Sequence, residues 1–232
     1  MLIGIAGIVV LEVVALVLGL VLVGRHGGGP IQDWDNTVGR WWLHHRIHLV
    51  TVSKVIAFLG DAPALAAISV VLTAILVALR QRVRALTPLV AYLGGEFMVY
   101  VTRAVIHRPR PRTANFPAPN AIRGVHETSY SYPSGHATAA VAVIISLAAL
   151  AAITWRTWWP WVVGAVLALA VAGSRLVLGV HWFSDVTFGM LVGAAWGILV
   201  AYALRNVEWP LARRADPTAR SDHRPETSQP KV

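Results

Sequence analysis

The sequence contains no cysteine, so it can form no disulfide and offers no thiolate to a metal or a substrate. Charged residues are also scarce: Asp, Glu, Lys and Arg make up 13% of the 232 residues, against about 25% in an ordinary soluble domain. Hydrophobic residues make up 56%, and the mean hydropathy is +0.60. This composition argues against a soluble domain and indicates an integral membrane protein.

The charge that is present is mostly of one sign, with 20 Lys+Arg against 11 Asp+Glu and a formal net charge of +9. In a soluble protein this excess would suggest a nucleic-acid partner. Here the arginines lie at the ends of apolar segments and in the C-terminal part, where anionic lipid headgroups are the expected partners. We therefore expect a bilayer and no nucleic acid.

Six apolar segments approach the roughly 20 residues that a helix needs to cross a bilayer. They lie at about 2–24, 62–79, 86–106, 137–154, 159–178 and 186–204. The sequence thus predicts an all-α, integral-membrane bundle of six transmembrane helices in a domain covering 1–204, followed by a disordered polar tail at 205–232. Tryptophans and charged residues at helical spacing between Ile31 and His48 predict an amphipathic helix in the membrane interface. A connecting loop with Trp anchors is the alternative.

Two polar clusters interrupt the apolar pattern near the end of the third span and the start of the fourth. Arg103 and Arg110 are seven residues apart, close to two helical turns, so both can project from one side of a helix. Residues 133–136, Pro-Ser-Gly-His, directly precede an apolar helix, where backbone N–H groups and a glycine can cradle an anion. The ordinary alternatives are a basic flank that reaches lipid headgroups and Ser134 as a simple helix N-cap.

A third cluster, from Ser174 to Asp185, contains Arg175 and His181. His181 and Asp185 are spaced i, i+4, so the carboxylate can accept a hydrogen bond from one imidazole nitrogen and leave the other as a nucleophile. A capping Asp beside an interface His is the alternative. Because all three clusters fall at the same end of the predicted bundle, we expect them to form one phosphate-handling site.

In these residues the sequence resembles the type 2 phosphatidic acid phosphatase superfamily, which also includes vanadium-dependent haloperoxidases and bacterial acid phosphatases. The family's first motif, a Lys, six residues and Arg-Pro, corresponds to residues 103–111. Its second, Pro-Ser-Gly-His, is present at 133–136, and its third, Ser-Arg, five residues, His, three residues and Asp, at 174–185. Arg103 stands where the family has lysine, so a planar guanidinium with several N–H donors replaces the compact ammonium group. The resemblance extends over 1–204.

The resemblance implies a lipid phosphatase that needs no metal or cofactor and acts through a phosphohistidine. His181 would attack phosphorus, Asp185 would orient His181, and His136 would protonate the leaving oxygen and then activate water. The groups that would hold the phosphate oxygens are Arg103, Arg110, Ser134, Gly135 and Arg175. The implied substrates are a polyprenyl pyrophosphate, phosphatidic acid or phosphatidylglycerol phosphate, and the motifs do not separate them.

The arginines also predict the orientation in the plasma membrane. With six spans, the loop 80–84 lies on the same side as both termini, and the loops 25–61, 107–136 and 175–185 lie on the other side. Raw positive charge is equal on the two sides, but five cations of the second side are residues that a phosphate site would need: Arg103, Arg108, Arg110, Arg112 and Arg175. Discounting those residues places the tail in the cytoplasm and the site outside.

Two other functions fit parts of the pattern. A vanadate-dependent haloperoxidase would use the same pocket, but six spans and short loops argue against it. A non-catalytic lipid-binding or transport relative would not need His136, His181 and Asp185 to be intact.

Four further polar residues have weaker assignments from the sequence. Glu96, on the Arg103 face of the third span, is interpreted as a packing residue rather than a partner of the arginines. Asp61 is expected to cap the second span. His107 and His126 flank the site loop without an assigned role.

Overall fold

A computed structural model of the chain describes residues 2–45, 48–81, 83–111 and 129–215. Helices account for most of these residues, and no β-strand is formed in them. The helices are α1 (Leu2–Leu18, extended by a π-helical segment, Gly19–Val23), α2 (Gln32–His45), α3 (Val50–Gly60), α4 (Ala62–Ala78), α5 (Thr87–Val105, preceded by a 3-10 turn, Arg84–Leu86), α6 (Val141–Trp155, preceded by a π-helical segment, His136–Ala140), α7 (Trp159–Val177) and α8 (Phe183–Ala215).

The predicted all-α membrane bundle is confirmed. Five helical stretches of the described chain are long and apolar enough to cross a bilayer, and a sixth is obtained when α3 and α4, bent by 60° at their junction, are counted as one span. The sequence did not predict α3, which was assigned to a loop. Its apolar run is short and contains Lys54 and Ser53, so no bilayer-length pattern marks it.

Helix α2 lies within the stretch where the sequence predicted an amphipathic helix, and the loop alternative is therefore wrong. Trp34 and Trp41 are exposed on it, whereas Asp35 is fully buried. Trp42 packs on an apolar cluster formed around Ala172 and Val186. One face of α2 is thus directed into the bundle, while its orientation relative to a bilayer stays a prediction.

The last helix is longer than predicted. The sixth span was expected to end at 204, but α8 continues to Ala215, so residues 205–215 are helical rather than part of a disordered tail. Leu, Ala and Arg in 211–215 have high helix propensity, which permits this extension. The rest of the predicted tail, 216–232, lies outside the described residues, and the division into two domains stays a prediction.

Helix α6 forms the centre of the bundle and packs closely on α8. In an 18-residue stretch of the span His136–Trp155, 72% of residues are buried. A Cβ atom at Gly193 would lie 2.3 Å from the carbonyl oxygen of Thr138, and one at Gly197 would lie 2.4 Å from that of Ala142. Small residues at such a contact let two backbones approach. This contact fixes the start of α6 beside the start of α8, where the second and third motifs meet.

The two ends of the bundle differ in their polar residues. Arg84 donates from Nη1 to Oγ1 of Thr154 over 3.4 Å, which brings the α4–α5 connection to the end of α6. The three motifs gather at the opposite end.

Candidate active site

A cavity of about 300 Å³ lies at the junction of α3 and α4. The predicted site residues that line it come from all three motifs: Arg103, Arg110, Gly135, His136 and His181. Two acidic residues, Asp61 and Glu96, line it as well. The structure therefore brings together the three polar clusters that the sequence placed at one end of the bundle.

The tautomer of His181 follows from its neighbours. Its Nε2 lies 2.9 Å from Nη1 of Arg110, and because a guanidinium can only donate, this nitrogen must be the acceptor and carry no proton. The ring proton is then on Nδ1, which is 3.6 Å from Oδ2 of Asp185, an ion-pair distance rather than a short hydrogen bond. The lone pair that can act as a nucleophile is thus on the side of Arg110.

His181 is also held in its neutral form. It is 4% exposed, and its burial lowers the pKa of the imidazole well below its ordinary value, with further lowering by the positive charges of Arg110, Arg175 and Arg103. Desolvation and nearby cations both disfavour the imidazolium. The ring is accordingly neutral at neutral pH, with its single proton on Nδ1.

Asp185 is fixed by groups other than the histidine. Its Oδ1 accepts from Nη1 of Arg108 at 2.6 Å, and its Oδ2 accepts from the backbone N–H of Trp182 at 2.9 Å and from the hydroxyl of Ser131. The carboxylate is completely buried. Its orientation therefore depends on the loop before α6 and on Arg108.

Arg108 and Asp35 have structural roles that the sequence did not predict: Asp35 had no assigned role, and Arg108 was counted among the cations of a phosphate site. Both are 0% exposed, and Nη2 of Arg108 is 2.6 Å from Oδ2 of Asp35. Asp35 also accepts from the backbone N–H and the hydroxyl of Ser184, at 2.8 and 2.6 Å. The guanidinium of Arg108 lies 5.2 Å from the ring centroid of Trp182. Two buried ion pairs, Asp35–Arg108 and Arg108–Asp185, thus connect α2 to α8.

One sequence signal could have selected Asp35. It precedes Trp42 by seven residues, two helical turns, and therefore shares the face of α2 that packs inward. An acidic residue on an inward face requires a buried partner. No comparable pattern distinguishes Arg108 from the other arginines of 103–112.

Arg103 and Arg110 link the three motifs to one another. Nη2 of Arg103 donates to the carbonyl of Pro133 at 3.1 Å. Arg110 donates to the carbonyl of Ser129 at 2.8 Å and to that of Val180 at 2.9 Å. Both guanidiniums are therefore held at the cavity by backbone carbonyls of the segments before α6 and before α8.

The other predicted phosphate ligands are placed differently. Gly135 lines the cavity, and a Cβ there would lie 3.5 Å from Nη2 of Arg103. Ser134 is buried, its backbone N–H donates to the carbonyl of Asp185 at 3.1 Å, and its hydroxyl accepts from the N–H of Ala137 at 3.4 Å. Arg175 is buried at the end of α7. Neither Ser134 nor Arg175 is part of the cavity wall.

His136 is paired with a carboxylate that the sequence had assigned elsewhere. Its Nε2 lies 2.9 Å from Oδ1 of Asp61 and 3.0 Å from the carbonyl oxygen of Ala57. Asp61 was expected to cap the second span. It does occupy the N-cap position of α4, but its side chain makes no capping hydrogen bond and is directed at the imidazole instead.

Three remaining candidates have the following positions. Glu96 lines the cavity with Arg103, so the interpretation as a packing residue does not describe its surroundings. The rings of His107 and Tyr130 are in contact in a tilted arrangement, with centroids 4.6 Å apart. His126 lies outside the described residues, and within the part of the chain that is described no three His, Asp or Glu side chains form a possible metal site.

Comparison with known proteins gives three matches of different extent. Residues 84–209 match the family model described as the PAP2 superfamily. A protein of Sulfolobus acidocaldarius named undecaprenyl-diphosphatase is 30% identical over 115 residues, 50% of this chain and 52% of that protein. The chain thus spans about half the length of the curated relative that it matches. The crystal structure of a transmembrane PAP2-type phosphatidylglycerolphosphate phosphatase from Bacillus subtilis has a TM-score of 0.66 and 22% identity, over 91% of this chain and 98% of that one. At this identity, the likeness is one of fold.

Proposed function

The chain belongs to the PAP2 superfamily, and from that premise we propose that it is an integral-membrane lipid phosphatase that uses His181 as its nucleophile. The observation that carries the proposal is the state of this imidazole. Its Nε2 lone pair lies 2.9 Å from Arg110 in a cavity that also contains His136. A neutral nucleophile, a second imidazole and two guanidiniums are the groups that phosphoryl transfer through a covalent intermediate requires.

The first half of the reaction transfers phosphate to the enzyme. Nε2 of His181 attacks phosphorus, a nitrogen–phosphorus bond forms, and the phosphorus–oxygen bond to the lipid breaks. His136 gives its proton to the leaving oxygen. Asp185, 3.6 Å from Nδ1, stabilises the positive charge that develops on the ring.

The second half releases phosphate. His136, now lacking that proton, accepts one from water as the water oxygen attacks phosphorus, and the electron pair of the nitrogen–phosphorus bond returns to His181. Arg103 and Arg110, with the backbone at Gly135, hold the non-bridging oxygens in both halves. Such preorganised donors each contribute about 3 kcal/mol to stabilising a transition state. The guanidiniums supply the positive charge that a metal ion provides in other phosphatases.

The substrate class follows from the surroundings of the cavity. Helix α3, which ends at the cavity, exposes Val52, Val55 and Phe58, and a lipid tail can lie against such a surface while its phosphate enters. We propose a lipid monophosphate or diphosphate of the polyprenyl or phosphatidyl type. The relative from Sulfolobus, named for a polyprenyl diphosphate, makes that lipid the first to test.

The proposed orientation places the cavity on the extracytoplasmic side of the plasma membrane and the C-terminal residues in the cytoplasm. Arg80 and Arg84 belong to the α4–α5 connection, and Arg156 follows α6 at the same end of the bundle. When Arg175 and the four arginines of 103–112 are set aside, ten cations of the sequence fall on the side of this connection and the C-terminal residues, and five on the cavity side. This difference favours the proposed orientation.

The test is release of inorganic phosphate by the detergent-purified full chain from a polyprenyl diphosphate, phosphatidic acid and phosphatidylglycerol phosphate. We expect His181→Ala to lower release by about three orders of magnitude or more and to abolish an acid-labile phosphoprotein that the wild type forms. His45→Ala, which changes an exposed ring stacked on Trp41, is the matched control and should retain full activity.

Near-normal turnover by the folded His181→Ala protein would refute the nucleophile. Absence of release from every lipid by the wild type would refute the phosphatase. Halide oxidation after addition of vanadate would instead support the haloperoxidase alternative.

A further inference from the structure

We propose that Asp61 is a positioning residue that orients His136 and holds it in the doubly protonated form needed to protonate the leaving group. The site then contains two carboxylate–imidazole pairs, Asp185 with His181 and Asp61 with His136. This inference rests on the proposed function, because it assigns Asp61 a part in the proton transfer of that reaction.

The contacts of Nε2 fix where the protons of His136 must be. Asp61 Oδ1 at 2.9 Å and the carbonyl oxygen of Ala57 at 3.0 Å both lie at this nitrogen. A carboxylate and a carbonyl accept hydrogen bonds, so Nε2 must carry a proton. The proton given to the leaving oxygen then comes from Nδ1, and the ring has to carry both protons before the transfer. A carboxylate at this distance stabilises that cation.

The junction between α3 and α4 is built around this contact. Asp61 has an extended backbone conformation, φ −63° and ψ 145°, which ends α3. Its N–H bonds to the carbonyl of Phe58 at 3.3 Å, one residue later than the α-helical partner would be. The carbonyl of Ala57, which an uninterrupted helix would use for that N–H, is therefore available to the imidazole.

Gly60 sets the orientation of the imidazole at this junction. A Cβ there would lie 2.8 Å from Cδ2 of His136, so the ring packs directly on the backbone of α3. Since Cδ2 and Nδ1 are on opposite edges of the ring, Nδ1 is turned away from α3.

A negatively charged side chain at the position of Asp61 disfavours binding of an anionic substrate, so its role there is not to bind the substrate. Its side chain is 48% exposed and lines a cavity proposed to take a phosphate anion, so its charge repels the substrate. It also does not cap α4. Two opposite effects of its removal follow: weaker proton transfer, which lowers kcat, and weaker repulsion of the anion, which leaves KM unchanged or lowers it.

The proton transfer is balanced by the bonds that change. As the nitrogen of His181 bonds to phosphorus, the electron pair of the breaking phosphorus–oxygen bond goes to the lipid oxygen, which takes the Nδ1 proton of His136. In the second half, His136 regains a proton from water, the water oxygen bonds to phosphorus, and the nitrogen–phosphorus bond breaks. Asp61 accepts the hydrogen bond from Nε2 throughout and neither gains nor loses a proton.

The experiment compares two leaving groups in the full-length Asp61→Asn protein. One substrate is the lipid phosphate that the wild type hydrolyses fastest. The other is the same lipid with sulfur in place of the bridging oxygen, because a thiolate leaves without being protonated. We expect kcat for the oxygen substrate to fall about 100-fold, with KM unchanged or lower, and kcat for the sulfur substrate to fall less than about threefold. Asp33→Asn, an exposed acid on α2, is the control and should change neither value.

Equal losses on the two substrates would overturn the proposal, since a structural role does not depend on the leaving group. A rate on the oxygen substrate that is unchanged or higher would also overturn it. A second variant tests the same coupling: Asp61→Asn should add less than about twofold to the loss caused by His136→Ala, and an additive loss would contradict the role through His136. Inactivity of the wild type on every lipid would refute the proposed function instead.

Discussion

Replacing Arg108 by methionine should destabilise the protein more than any exposed substitution, because this guanidinium compensates two buried carboxylates. Arg108, Asp35 and Asp185 are all 0% exposed, and both ion-pair distances are 2.6 Å. Methionine fills a similar volume but leaves both carboxylates without their cation. Breaking one buried pair costs about 3–5 kcal/mol, and we expect the loss in unfolding free energy to lie at least in that range.

The assay is equilibrium unfolding of the detergent-purified protein by a denaturing detergent, followed by tryptophan fluorescence. The Arg108→Met loss should be smaller in an Asp35→Asn background, since one of the two uncompensated charges is then absent, and we expect a coupling energy of about 1–3 kcal/mol. Arg40→Met, at an exposed position on α2, is the control and should change stability by less than about 0.5 kcal/mol.

Two results would contradict this reasoning. A loss in unfolding free energy below about 1 kcal/mol would mean that the two buried ion pairs contribute little to folding. Strict additivity of the losses caused by Arg108→Met and Asp35→Asn would mean that the two residues act independently. A stable Arg108→Met protein with unchanged kcat would also show that Asp185 does not depend on Arg108 for its orientation.

Two further predictions concern the pH dependence of activity and the contact between α6 and α8. Because the pKa of His181 lies well below its ordinary value of 6.5, kcat/KM should fall through protonation of this ring only well below pH 6.5. In Arg110→Gln, which removes a nearby positive charge, this fall should move to higher pH. A fall of wild-type kcat/KM centred at or above pH 6.5 would contradict the effect of burial and of the arginines on this pKa. Gly193→Ala places a Cβ 2.3 Å from the Thr138 carbonyl oxygen, so unfolding by denaturing detergent should show a loss of about 1–3 kcal/mol, whereas an unchanged midpoint would show that the helices can separate without cost.

The sequence predicted the bundle well because bilayer-length apolar runs are a strong signal, and it predicted which motifs meet because their loops had to fall at one end. It did not predict α3, whose contribution to a span depends on a 60° bend at Asp61 that no composition pattern reveals. The sequence analysis also assigned Asp61 to helix capping, because an Asp directly before a helix commonly caps it. Its contact with His136 is a tertiary one, between residues 75 positions apart, and local rules do not reach that far.

The structural roles of Arg108 and Asp35 were not predicted for a related reason. Several arginines lie in 103–112, and the spacing rule selected those that matched a phosphate motif. Burial of Arg108 is decided by α2 and by the first turn of α8, which are distant from it in the chain. Ser134 differs from both: its hydroxyl accepts from the N–H of Ala137 at 3.4 Å, the N-cap position itself is occupied by Gly135, and phosphate binding by Ser134 stays a prediction.

The contact between Arg110 and Nε2 of His181 has a consequence for selectivity among electrophiles. A lone pair that accepts a hydrogen bond from a guanidinium is less available for reaction. An uncharged alkylating reagent does not displace that guanidinium and therefore reacts slowly with this nitrogen. An anion competes for the same guanidinium and draws it away. In the proposed reaction, the incoming phosphate would thereby expose the nitrogen that attacks it, and the resting site would be protected from reacting with neutral molecules dissolved in the membrane.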